Sequence, residues 1–330
     1  MRVLRDQPGA PAPPRGGVVT IGNYDGLHLG QHAILERVVG RARQLGAPSL
    51  AITFEPHPLR LLDPARAPAR LTTDAQRARL LDELGLDVLW VVPFTRELAA
   101  QPAHEFVRER LAERLAIREI HVGSRFAFGR GREGDLDLLV RLGAELGFAA
   151  HGVPEVEIGG APVSATRIRA LVGAGRTEEA AALLGRPYAV SGSVVHGDRA
   201  GTRLGFPTIN LGTDHELLPA DGVYATRVAL PDGSVRDAVS NVGVRPTLHA
   251  GGGRVVESHL LDFAGDLYGA EVEVGFLRRL RDERKFPGFE ALRGQIALDA
   301  AAAREYFGGS ERWHGRTAPS DVPPATGTAS

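Results

Sequence analysis

Residues 18–35 read VVTIGNYDGLHLGQHAIL, a strand that stops on a glycine, turns, and feeds a helix. Val18, Val19, Thr20 and Ile21 suit a buried strand, while Ala33, Ile34, Leu35, Val38 and Val39 recur with helical spacing. Gly22, Gly26 and Gly30 lie in and around the turn. Glycine there lets backbone N–H groups approach a ligand closely, and the N-terminus of the following helix attracts phosphate. Asn23, Asp25, His28, Gln31 and His32 give the turn more polar groups than a plain connection needs. The spacing matches neither the dinucleotide fingerprint nor the Walker phosphate loop. The turn alone therefore leaves nucleotide binding and a simple connection both open.

Composition narrows the function classes. The 330 residues suffice for two domains with substantial cores, and 43% hydrophobic content is ordinary for a globular protein. A formal net charge of −1 gives no basic excess for nucleic acid or an anionic membrane. The absence of cysteine excludes disulfides, thiolate zinc sites and cysteine nucleophiles together. The first residues lack the apolar core of a signal peptide, and no apolar run is long enough to cross a bilayer, so the expectation is a cytoplasmic protein.

Outward from the turn, Gly40 and Gly46 mark the end of the first helix, and Ser49 to Phe54 reads as a second strand parallel to the first. Its end runs into Glu55-Pro56-His57-Pro58, an extended loop that presents Glu55 and His57 where open parallel sheets bind ligands. A helix over Thr73 to Leu84, a strand over Asp87 to Pro93, and one helix with Phe106, Val107, Leu111 and Leu115 on its buried face follow. The strand Ile120 to Val122 ends in a loop whose flexible glycines and arginines 125, 130 and 132 suit a polyphosphate. In the segment 161–188, Ser164 and Thr166 are candidate caps of a helix starting near Ile168, with Arg167 and Arg169 in its first turn. Positive charge there opposes the helix dipole unless an anion is bound nearby.

GRPY at 185–188 reads as a domain junction, after which five short valine-rich strands, 188–197, 222–230, 238–244, 254–263 and 270–280, predict a small antiparallel β-barrel. An amphipathic helix over Phe289 to Tyr306 follows, and beyond Gly308 the composition predicts a disordered tail. The expected architecture is a Rossmann-like α/β domain with a parallel sheet over 1–186, an all-β barrel with a C-terminal helix over 187–308, and a tail over 309–330. Pro207 rigidifies the turn in GFPTIN, and Thr208 and Asn210 alternate along an extended chain so that both oxygens can face one cation. Pro-Thr-x-Asn alone reads first as a backbone-capping turn, the usual place of two small polar residues in a turn. Glu257 sits inside the apolar strand RVVESHLLDF, and alternation does not decide whether it is solvated or functional.

The stretch 18–35 closely resembles the G-[NS]-F-D-G-x-H-x-G-H signature of bacterial bifunctional riboflavin kinase/FAD synthetases. TFEPHP at 53–58 resembles their TF-[ED]-PHP. Residues 122–135 resemble VGxDFRFGxxRxGD, keeping Gly123, Phe126, Phe128, Gly129, Arg132 and Gly134 but with Arg125 and Ala127 in place of an acidic and a basic residue. VSATRIR at 163–169 resembles [IV]-S-S-T-x-I-R with Ala165 for the second serine, and GFPTIN at 205–210 resembles G-[FI]-P-T-A-N with Ile209 for alanine. Glu257-x-His259, DFAGDLYG at 262–269, GVY at 222–224 and SNVG at 240–243 match further strings.

The resemblance implies a nucleotidyltransferase domain and a riboflavin kinase barrel, with riboflavin, FMN and ATP as substrates and Mg²⁺ as cofactor. It implies that riboflavin is phosphorylated to FMN and that FMN is then adenylylated to FAD with release of pyrophosphate. It assigns ATP for adenylylation to Gly22, Asn23, Asp25, Gly30, Gln31, His57, Arg132, Ser164 and Thr166, with His28 and Arg169 neutralising charge at the reacting phosphates. In the barrel it assigns ATP and flavin to Gly205, Phe206, Pro207, Thr208 and Asn210, the metal to Thr208 and Asn210, and the base to Glu257. One departure carries an expectation: the family's second histidine is Gln31 here, which cannot carry charge, so adenylylation is expected to be weaker than phosphorylation.

Overall fold

The computed structural model describes residues 1–197, 204–244 and 253–309. The chain forms two compact units, Met1–Ser164 and Ala165 onward. The division falls earlier than the GRPY junction because the helices before that junction pack on the barrel.

The first unit is a parallel sheet of β1 (Arg2–Arg5), β2 (Val18–Ile21), β3 (Ser49–Glu55), β4 (Val88–Pro93), β5 (Glu119–Gly123) and β6 (Ala149–Val153) in the order β1-β4-β3-β2-β5-β6. The helices are α1 (Leu29–Leu45), α2 (Pro58–Leu62), α3 (Asp74–Glu83), α4 (Arg96–Ala100), α5 (Ala103–Phe106) and α6 (Leu136–Leu146). A core of Ile21, Ile52, Trp90, Ile120 and Val122 with Phe106, Leu111 and Leu139 fills one face of the sheet. Leu35, Val39, Ala51, Leu81, Leu89 and Val91 fill the other. Strand order reverses between β2 and β5, so the flanking connections depart to opposite faces and leave a crevice at the strands' carboxyl ends.

Several elements differ from the sequence expectation for local reasons. Helix α1 runs through Gly40 and stops at Gly46, whose left-handed φ of 56° turns its N–H back onto Ala42 and Arg43. The single helix expected around Phe106 breaks at Pro102, which holds Gln101 extended and lacks an N–H; beyond α5 it continues as π-helical turns over Val107–Arg114. The extended loop expected after Glu55 is shorter, because α2 begins at Pro58 with His57 capping it.

The second unit opens with α7 (Ala165–Gly173), which starts ahead of Ile168 and puts Ser164 just before its first turn, and α8 (Thr177–Leu184). A small hairpin of β7 (Glu157–Ile158) and β8 (Ala161–Pro162) precedes them in the first unit. The pair is joined to the barrel where Ala220 N–H donates to Val172 O and Thr177 Oγ1 donates to Leu277 O. The barrel closes through β9 (Tyr188–Val195), β10 (Ile209–Gly212), β11 (Gly222–Ala229), β12 (Val235–Val244), β13 (Arg254–Leu260) and β14 (Glu271–Asp282), ordered β10-β13-β12-β11-β14-β9. Val190, Val242, Val256, Val274 and Phe276 are fully buried, and a chain of Thr226, Ser240 and Ser258 hydroxyls, each link 2.6 Å, satisfies the buried polar groups. Helix α9 (Phe289–Gly309) covers Val223, Ala225, Val239 and Leu261 with Ala300 and Ala303, anchored by the Arg281 guanidinium on Asp299 at 2.8 Å. The tail expected from 309 lies, from 310 on, outside the described residues.

Candidate active sites

At the crevice, the turn after β2 is held in a strained form. Tyr24 (φ 46°) and Leu27 (φ 39°) both adopt the left-handed conformation, which costs about 1–2 kcal/mol for a residue with a Cβ. Such strain persists only where the surroundings over-determine it. Here Tyr24 is buried with its hydroxyl donating to Thr20 Oγ1 at 2.9 Å, and Leu27 is fully buried. Burial pushes the Tyr24 phenol up, keeping it a donor. Between them the Asp25 carboxylate accepts from Leu71 N–H at 2.9 Å and Thr72 N–H at 3.1 Å. Asp25 thus fastens the turn to the chain ahead of α3. Gly26, at φ 85°, has no room for a side chain, since a Cβ would stand 2.7 Å from Leu71 Cδ1.

The polar groups of the turn gather around the start of α1. His28 occupies the N-cap position, and its backbone N–H donates to Gln31 Oε1 at 3.1 Å. Gln31 is therefore a helix-capping residue. Its amide nitrogen still carries donors. The His28 ring lies over Gly30, where a Cβ would come within 3.3 Å of it, and Val163 O lies 3.6 Å from the same point. The chain leading to Ser164 thus passes beside the helix start.

Asn23 faces His57 across the crevice at 3.0 Å. Leu59 N–H donates to His57 Nδ1, and the Asn23 carboxamide meets the other ring nitrogen, Nε2. Glu55, expected to be presented to a ligand, instead accepts from Arg5 at 2.7 Å.

The arginine loop is not the flexible glycine segment that its composition suggests. Phe128 and Gly134 exchange both backbone hydrogen bonds at 2.9 Å. Gly129 and Gly134 press on Ala103, at 2.6 and 2.7 Å from where their Cβ atoms would stand. Close packing, not mobility, explains these glycines. Arg125 pairs with Glu155 and Arg130 lies 3.8 Å from Glu133, whereas Arg132 is exposed and has no partner among the described residues. A row of rings, Phe54, Phe106, Phe128 and Phe126, with centroids 5.4–6.4 Å apart, runs up to this loop. Thr166 and Arg169 stand on α7 in the second unit.

In the barrel, β10 brings the second constellation together. Asn210 pairs in register with Glu257 on β13, and Glu257 pairs on its other side with Asn241 on β12. Directly opposed residues on one face have Cβ atoms about 4.5–5.5 Å apart. The row lies on the half-buried outer face of β13, while Val256 and Ser258 point to the interior. His259 Nδ1 donates to Pro207 O at 2.8 Å, and its ring meets Phe206 edge-on at 5.4 Å. That contact fastens the turn carrying Thr208 to the strand carrying Glu257. Gly205 turns at φ 84° in open space. Gly197 lies against Asn210, where a Cβ would fall 2.2 Å from its Nδ2.

Sequence reading named Asn210 and Glu257 but gave no role to Asn241, His259 or Gly197. The strings SNVG and E-x-H were visible; the register that makes them neighbours was not.

The FAD synthetase family matches residues 10–167 and the riboflavin kinase family residues 184–307. The bifunctional riboflavin kinase/FMN adenylyltransferase of Escherichia coli (strain K12) is 40% identical over 297 residues, covering 90% of this chain and 95% of that protein. The protein of the same name from Pseudomonas fluorescens is 42% identical over 290 residues, covering 88% and 93%. A crystal structure described as a macrolide-efflux protein from Streptococcus pneumoniae superposes with a TM-score of 0.80 at 30% identity, covering 89% of this chain and 95% of that one. The transport in that description stays with that protein; among the described residues here no helix is long and apolar enough to cross a membrane. Two matched domains in this order and relatives that align along nearly their whole length show that the chain belongs to the family of bifunctional riboflavin kinase/FMN adenylyltransferases.

Proposed function

We propose that the family's two reactions are divided between the two units, with FMN adenylylated at the 22–31 turn and riboflavin phosphorylated along the row Asn210, Glu257 and Asn241. The observation that carries the second half is the register, which sets a carboxylate between two carboxamides beside the Pro207–Thr208 turn. In the barrel, Glu257 takes the proton of the ribityl 5′-hydroxyl as its oxygen attacks the γ-phosphorus of ATP and ADP leaves. Gly205, Phe206 and Pro207 shape the turn under the nucleotide and flavin. The Thr208 hydroxyl and Asn210 carboxamide, with ATP phosphates, supply the oxygen donors magnesium takes, and the bound ion would neutralise the charge of those phosphates.

At the turn the FMN phosphate is already an anionic nucleophile and needs no base. It attacks the α-phosphorus of ATP, and pyrophosphate leaves. The task is charge neutralisation, assigned to His28, the backbone N–H groups at Asn23 and Gly30, and Arg132. Gly22 N–H donates to Ile52 O at 3.0 Å, and the role of Gly22 is to let the chain turn. Asp25 and the His57–Asn23 pair hold the turn that presents them. The assignment of Ser164, Thr166 and Arg169 to ATP phosphates rests on the [IV]-S-S-T-x-I-R resemblance. The apolar ring of FMN fits the phenylalanine row.

The test is product analysis with riboflavin, ATP and magnesium. FMN followed by FAD is the expected result. FMN alone would reduce the first unit to a nucleotide-binding or regulatory role, and neither product would make the barrel a non-catalytic flavin-binding module.

Two variants probe the assignment locally. Gly197→Ala forces the Asn210 amide aside, so kinase activity should fall with a raised KM for magnesium-ATP while FAD synthesis from FMN is kept; unchanged kinase kinetics would remove Asn210 from the metal clasp. Gln31→His replaces a neutral donor by one able to carry charge, a gain of about 1 kcal/mol or several-fold in rate. Adenylylation should rise, and Tm should fall slightly as the cap on His28 N–H is lost. A faster wild-type enzyme would show that the Gln31 carboxamide is already the better phosphate ligand.

A further inference from the structure

Glu119, His121 and His151 form a cluster apart from both sites. Glu119 and His121 are two residues apart on β5, so they share the sheet face under α1, while Ile120 and Val122 fill the core on the other. His151 on β6 pairs in register with His121, and the two imidazoles stack with centroids 4.7 Å apart and planes 23° from parallel. His121 Nε2 lies 3.0 Å and His151 Nε2 3.9 Å from one atom, Glu119 Oε2. One ligand atom from each residue lies within 4.8 Å of the other two. Glu119 pairs with Val18 at the opposite end of β2 from the catalytic turn.

The surroundings have already prepared these groups. The Arg41 guanidinium donates to both Glu119 oxygens, through Nε at 3.0 Å and Nη2 at 2.5 Å, and holds the carboxyl down at about 2. Burial holds His121 below the ordinary histidine range. Hydrogen bonding within the protein leaves His121 half satisfied: the ring is 3% exposed, and its Nδ1 is buried without a partner among the described residues.

We propose that Glu119, His121 and His151 bind a late first-row divalent cation of the zinc type in a structural role. Two imidazole nitrogens and one carboxylate oxygen suit zinc, nickel or cobalt and not magnesium. Tetrahedral ligands at bond lengths of about 2.0–2.1 Å stand roughly 3.4 Å apart. The separations of 3.0 and 3.9 Å flank that value, so closure needs only small side-chain shifts. The metal displaces the His121 N–H···O contact, and the ring proton moves to Nδ1, which has no acceptor among the described residues, so the metal bond itself offsets the burial of that N–H. Arg41 stays on Oε1 as the partner that orients the carboxylate. The exposed His151 edge provides entry and leaves the fourth position to water. Three protein ligands beside an arginine charge bind more weakly than the closed four-ligand sites zinc takes in structural centres. The bound ion ties edge strand β6 to β5 and α1.

The test uses full-length protein stripped with chelator and held in magnesium-free buffer. Zinc chloride is titrated by calorimetry, and Tm is recorded with and without zinc. One zinc per chain should bind at micromolar concentration and raise Tm by several degrees. His151→Ala, an exposed change that spares the fold, should weaken binding by about tenfold or more and abolish the Tm rise. His121→Ala should do the same, while Thr208→Ala should keep the zinc site, separating it from the kinase clasp. FAD synthesis by His151→Ala in magnesium should equal wild type. No stoichiometric binding at sub-millimolar zinc, or binding that His151→Ala leaves unchanged, overturns the proposal.

Discussion

Glu257→Gln should lower the rate of FMN formation from riboflavin by about 10²–10⁴-fold, the range a positioned general base supplies. FAD formation from supplied FMN should continue at the wild-type rate. Glutamine keeps the shape of the side chain, and the backbone register that sets Glu257 between Asn210 and Asn241 does not depend on its charge. The loss should therefore appear in kcat, with KM for riboflavin and ATP little changed, as for an interaction made only in the transition state. Initial rates of the two half-reactions, measured separately by chromatography of the flavins, check this. A kcat within tenfold of wild type would move the base elsewhere. A parallel loss of adenylylation would mean that the substitution acts through the fold.

The readable part of this chain is its local pattern. β-Branched runs, each followed by a helical period, predict the parallel sheet, and Val18–Ile21 appears as β2 with all four residues buried. Short valine-rich strands between turns predict the barrel, to which the structure adds β10 as the sixth strand. Strands β1 and β6 carry no clear sequence signal, because Arg2–Arg5 and Ala149–Val153 lack the apolar run of a buried strand; both are edge strands. Four of the five residues of β6 are at least partly exposed.

In the sites, residue types were legible and partners were not. Asp25, read as a nucleotide ligand, has oxygens directed at the backbone of Leu71 and Thr72, a contact across a long stretch of chain. Gln31, read as a weakened copy of a histidine, also caps α1. Asn241 stands beside Glu257 only because β12 and β13 pair in that one register, and register is a property of two strands that neither announces alone.

His28→Asn should reduce FMN adenylylation by about 10²–10³-fold, the usual effect of removing one group aimed at developing charge. Riboflavin phosphorylation should be spared. Asparagine is chosen because it is among the best N-cap residues, so the start of α1 and its dipole at the phosphates are kept while the imidazole is lost. His28 sits at the N-cap with its ring over Gly30, and its backbone N–H already occupies Gln31 Oε1. Gln31, so engaged, is poorly placed to take over the work of the ring. The reciprocal pattern is the decisive measurement: Glu257→Gln loses FMN formation and keeps FAD formation from FMN, whereas His28→Asn, with an unchanged Tm, accumulates FMN and makes little FAD. Wild-type adenylylation in His28→Asn would place the charge-neutralising task on Arg132, the exposed arginine without a partner among the described residues, and Arg132→Ala would then carry the loss.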